Sequence, residues 1–218
     1  MGESDQEQGP SETSDRLRRC QDLLRRLTLD FGHLAYTRQM FSAVQDTIGA
    51  APRLLSPLFP FELWLVTNYM IACITGIRRQ TNTNNDAVSL LKFLSVLVED
   101  PSAVTRSGFK ALYPPDDKAK AEQRFDELVG CGGAVLTKKV VGLDRTALTR
   151  AAEPIRQFAT ERIAHHLEDA DGLDAELNQI NDCADLAIHI FRKYLVLLFG
   201  PLAPTTESAP PQTIFGRN

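Results

Sequence analysis

The chain has 218 residues, 43% of them hydrophobic, and a formal net charge of -4. That is enough for one sizeable domain whose packed core needs neither metal nor disulfide. A net-negative chain is no polycation, so any nucleic-acid contact must come from a local basic patch set where the phosphates lie. The four cysteines, Cys20, Cys73, Cys131 and Cys183, stand far apart and form no C-x-x-C pair. Their spacing argues against a zinc site and a secreted disulfide framework, and for a reducing, cytoplasmic setting. The acidic opening, MGESDQEQGPSETSD, lacks the basic start and apolar stretch of a signal peptide.

Residues 1–14 carry no hydrophobic period and read as a disordered tail. Leu17, Cys20, Leu24, Leu27, Phe31, Leu34, Phe41, Val44 and Ile48 then recur at helical steps. They predict one long helix with Ser14 as its N-cap and Gly49 near its stop. Three prolines between positions 50 and 60 make a connector. Residues 63–77, LWLVTNYMIACITGI, carry no charge. The run is shorter than the roughly 20 apolar residues of a membrane span. It reads as a core helix, or one partly covered by a partner, and no membrane contact is expected.

This apolar helix should end near Arg79, at the turn formers QTNTNND. A third helix is expected over 86–98, with Val88, Leu91, Leu94 and Val98 on one face. A short helix is expected within SAVTRSGFKALY, and another after Pro114-Pro115 that stops at the glycines of GCGG, 130–133. The next is read over 143–168, capped by Asp144, with Leu148, Ala152, Ile155, Ala159, Ile163 and His166 on one face. The last is read over 174–199, striped by Leu177, Ile180, Ala184, Ala187, Phe191, Leu195 and Leu198, and stopped by Gly200-Pro201. No period-two run reads as a strand. The expected fold is all-α: an antiparallel helical bundle with short inserted helices, one domain over 15–200, and a proline-rich tail over 201–218 whose Ile214-Phe215 can dock on the bundle or a partner.

No phosphate-binding glycine loop, H-E-x-x-H or G-x-S-x-G occurs, and no metal or cofactor is expected. Of the four histidines, His33 and His189 read as packed or surface residues. His165 and His166 follow Arg162 in TERIAHHLED. Residues three apart share a helix face, so Arg162 and His165 point the same way. Histidine exchanges a proton near neutral pH, which suits activation of an RNA 2′-hydroxyl, and arginine grips phosphate through its planar fork. The same residues would also answer the negative end of their helix. Arg78 and Arg79 divide in the same way between helix-end charges and phosphate ligands presented beside a polar loop. Arg16, Arg18, Arg19, Arg25 and Arg26 read as a solvated face, or as an outer contact if the site binds RNA.

Three stretches in order carry a family resemblance: HLAYTRQMF at 33–41, GIRRQTNTNNDAVSLLKFL at 76–94, and RFDELVGCGG at 124–133 followed by AAEPIRQFATERIAHH at 151–166. Together they resemble the HEPN-type abortive-infection family of the U2 kind, found in bacterial anti-phage and toxin–antitoxin contexts. The resemblance covers about residues 17–200. It implies a HEPN-like bundle, commonly a homodimer, in which arginine and histidine from each subunit meet across the dimer cleft and cut RNA without a metal. On this chain it implies His165 and Arg162 as the catalytic pair. Arg78, Arg79 and His166 are implied as RNA- or nucleotide-binding residues, and an antitoxin protein becomes a candidate partner. One departure stands out. Catalytic members space arginine and histidine as R-x(4–6)-H, whereas the matching positions before His165 are Phe158, Ala159 and Thr160. Arg156 is too far back and Arg162 too close. The alternative is therefore a non-catalytic HEPN bundle that binds nucleotide, RNA or a partner protein.

Overall fold

Helix-period stripes decide the architecture. A computed structural model describes residues 10–50, 59–84, 86–161 and 173–202, with side-chain surroundings inside slightly narrower bounds. Among these residues the chain is an all-α helical bundle. Its helices are α1 (Pro10–Ala50), α2 (Phe59–Gln80), α3 (Leu90–Glu99), α4 (Arg106–Ala111), α5 (Lys118–Val129), α6 (Lys138–Glu161) and α7 (Leu173–Phe199). The extended structure described is a single antiparallel bridge between Thr105 and Val135.

The stripe read on α7 is the centre of the core. Ile180, Ala184, Ala187, Phe191, Leu195 and Leu198 are all buried. They face α1, α2 and α6, while α3 lies on α6 and α1. Aromatic rings tie the layers together. Phe31 of α1 stacks on Phe191 of α7 at 4.2 Å, Phe41 of α1 on Tyr69 of α2 at 3.8 Å, and Phe93 of α3 meets the edge of Tyr194 at 5.4 Å. Each such buried side chain contributes roughly 1.5–3 kcal/mol over its exposed state.

A polar clip joins α1, α2 and α7. Arg38 forks onto Asp185, with its Nε 2.7 Å from Oδ1, and donates from Nη1 to the Tyr69 hydroxyl at 2.8 Å and to Asn181. Tyr69 in turn donates to Asn181. These partners take up Nε, both Nη1 hydrogens and one Nη2 hydrogen of the guanidinium, so the cluster sets helix register.

Local capping explains where elements start. The third helix opens at Leu90, later than expected, because Ser89 takes the cap and accepts from the Lys92 amide at 3.1 Å. Thr105 caps α4 in the same way, accepting from the Gly108 amide at 2.9 Å. The first helix starts at Pro10 rather than after Ser14, so residues 10–14 of the expected tail are helical. The sixth starts at Lys138, which overturns the reading of Asp144 as its cap. Asp144 lies inside α6 and accepts from Lys193 Nζ at 2.8 Å and Tyr194 Oη at 2.7 Å.

The apolar helix α2 is buried on one side only. Tyr69, Met70, Cys73, Ile74 and Ile77 face the core, while Phe61, Leu63, Trp64 and Ile71 are exposed. It is also longer than its uncharged stretch. Pro60–Gln80 is long and apolar enough to cross a membrane by length and composition, with 28% of its most apolar window buried. Core helices of water-soluble bundles pass the same test.

Candidate functional site

The turn after α2 is built from amide and hydroxyl groups. Ile77 O accepts from both the amide and the hydroxyl of Thr81 at 3.0 Å, which closes the helix end. Asn82 Oδ1 accepts from the Asn84 amide at 2.9 Å, an Asx turn. Buried Gln80 fastens this turn to the bundle. Its Nε2 donates to Asp30 Oδ2 at 3.3 Å, and its Oε1 accepts from the Leu90 amide at 3.2 Å. The loop is therefore held from α1 on one side and α3 on the other.

A polar groove of 440 Å³ opens at this turn. Thr75, Arg78 and Arg79 line it from α2, Thr81, Asn82, Thr83 and Asn84 from the turn, and Arg156 from α6. Arg79 is anchored through Nη2 to Asp30 Oδ1 at 3.0 Å, and Arg156 sits 3.7 Å from Glu153. Arg78 is exposed and has no carboxylate partner among the described residues. Three guanidinium groups beside two asparagine amides and several hydroxyls form a donor-rich surface, the chemistry that holds phosphate.

A smaller hollow of 180 Å³ adjoins the groove between α1 and α2, and the two share Thr75 and Arg79. His33 is exposed on its wall, beside Asp30 and Thr37. A wider trough of 540 Å³ lies elsewhere, lined by Arg145, Thr149, Arg150 and other α6 residues. Among the described residues its lining comes from α6.

Arg78 and Arg79 both line the groove at the end of α2. Arg162, His165 and His166 lie outside the described residues. Arg156, whose spacing to His165 does not fit R-x(4–6)-H, is the α6 residue lining the groove among the described residues. His33 was read as packed or surface; it is exposed and lines the hollow, while His189 is a surface residue. The basic start of α1 is partly spent on structure. Arg16 lies 3.7 Å from Asp100, and Arg25 pairs with Asp22 at 3.1 Å and covers the Phe199 ring.

The cysteines are unpaired: Cys20, Cys73 and Cys183 are buried and Cys131 is exposed. Among the described residues no cluster of histidine, cysteine and carboxylates is suited to hold a metal ion. Compared with protein-family models, with curated proteins and with solved structures, the chain matches none.

Proposed function

We propose that this protein is a HEPN-like phage-defence or toxin protein that acts on RNA in the cytoplasm, as a metal-independent ribonuclease. The observation that carries this reading is the meeting of Arg78 and Arg79 from α2 with Arg156 from α6 on one polar groove. Phosphate of the RNA backbone binds there through guanidinium forks. Arg162 and His165 follow Arg156 by six and nine residues in the sequence. In this reading His165 takes the proton of the 2′-hydroxyl, Arg162 steadies the phosphate, and His166 adds an RNA contact.

A homodimer belongs to the reading. Phe61 and Trp64 stack at 5.9 Å on α2, and Leu63 and Ile71 of the same helix are also exposed. A second copy would cover this apolar face. An antitoxin protein is a further partner implied by the family resemblance.

The test is incubation of RNA with the purified chain in the presence of a chelator. Cleavage leaving cyclic phosphate ends is expected, lost in His165→Ala and weakened by Arg78→Ala or Arg156→Ala. RNA that stays intact, yet binds with a salt dependence that falls in Arg78→Ala, would establish the non-catalytic binding bundle instead. That second reading is favoured by the missing R-x(4–6)-H arginine.

A further inference from the structure

The hollow beside Arg79 is formed by two matching helix stripes. On α1 its lining is Asp30, His33, Leu34 and Thr37, at steps of three, four and seven. On α2 it is Ala72, Thr75, Gly76 and Arg79 at the same steps, with Gln80 one residue further. Such spacing puts each set on one helix face, so the two faces confront each other. The α2 face is small at its centre. A Cβ added at Gly76 would sit 3.3 Å from Leu34 Cδ1, so glycine allows the close approach, and Ala72 leaves space above it.

We propose that this hollow is the ribose subsite of a ribonucleotide whose phosphate rests on Arg78, Arg79 and Arg156. The proposal rests on reading the groove as a phosphate site and adds what binds next to it. Three observations support it. The hollow and the groove share Thr75 and Arg79, so a ligand on the arginines has its next chemical group at the hollow. In a nucleotide that group is the sugar. The volume, 180 Å³, equals that of about six waters at ~30 Å³ each, room for one ring of a nucleotide.

The lining also suits hydroxyl groups. Asp30 offers carboxylate acceptors, already oriented by Arg79 at 3.0 Å and Gln80 at 3.3 Å, each oxygen keeping further lone-pair capacity. Thr37 and Thr75 add hydroxyls that donate or accept, and the His33 imidazole adds one donor or acceptor per nitrogen. Acceptors and hydroxyls lining a pocket beside a phosphate site are what a 2′-hydroxyl needs to be read.

The test measures binding of uridine 5′-monophosphate, its 2′-deoxy analogue and inorganic phosphate to the full chain by calorimetry. The ribonucleotide is expected to bind about tenfold tighter than the deoxynucleotide, the equivalent of one net hydrogen bond. Ala72→Leu, a substitution at an exposed position, fills the hollow and should erase that preference while leaving phosphate binding unchanged. Thr37→Val removes one hydroxyl with little change of shape and should narrow the preference. Equal binding of both nucleotides, indifferent to Ala72→Leu and Thr37→Val, overturns the subsite and leaves the phosphate groove standing. Failure of phosphate and both nucleotides to bind overturns the groove reading and the subsite with it.

Discussion

Burial pushes the thiols of Cys20 and Cys183 up, to about 11 and about 12, from an ordinary value of about 9, and Cys73 moves in the same direction. The Tyr69 and Tyr194 hydroxyls are raised too, mainly by burial, with Cys73 adding at Tyr69 and Asp144 at Tyr194. A raised folded-state pKa means that the unfolded chain gives up its protons first as pH rises. The stability tied to the Cys20 and Cys183 thiols is fully present below about pH 9 and is lost as pH climbs through the window from 9 to about 12. Thermal midpoints measured across that range should fall steadily. Cys183→Ala, which removes one titrating group, should flatten the fall, and an identical slope in that variant would show that the buried thiol does not matter. Residue identity alone could flag these cysteines as reduced, but their titration depends on burial by helices remote in sequence.

At the scale of single elements, the end of α7 rests on one glycine. Gly200 has φ of +68°, a left-handed conformation that side chains adopt at a cost, and a Cβ there would lie 2.7 Å from Leu112 Cβ. Gly200→Ala therefore combines backbone strain of about 1–3 kcal/mol with a clash against the segment after α4. A urea midpoint lowered accordingly, with helix content retained, is the expected outcome. This stop was legible beforehand, because Gly-Pro after a helical stripe is a local signal. The stripe on α7 was legible for the same reason: a repeated apolar step needs no knowledge of partners. The start of α6 was not. An aspartate ahead of an apolar run looks like a cap, but Asp144 answers Lys193 and Tyr194 on a different helix. Nothing local distinguishes the two uses of a carboxylate.

For the whole molecule, the bundle class followed from periodicity, while the groove was only half legible. Arg78 and Arg79 are adjacent to each other and to a run of turn formers, so the sequence itself marks them. Arg156 and His33 are single residues on two other helices, and only packing decides that their faces turn toward α2. The shared spacing of Asp30-His33-Thr37 with Ala72-Thr75-Arg79 was a signal available in the sequence, but it gains meaning once α1 and α2 are known to lie side by side. The open side of α2 is a property of this same scale, since it emerges only after every other helix has taken its place.

Trp64 is the sole tryptophan of the chain and lies 59% exposed on that open side. Its fluorescence therefore watches the surface of the bundle and is nearly blind to the core. In dilute solution the emission should lie toward the red, as for an indole in water. If a second copy covers α2, raising the protein concentration should shift it to the blue, and Ile71→Glu should hold it red throughout. An emission maximum independent of concentration, from a chain that sediments as a dimer, would move the dimer contact to another face. In urea, the indole of the paired protein should change at lower denaturant than the helical circular dichroism, because it reports separation of the copies before loss of the fold.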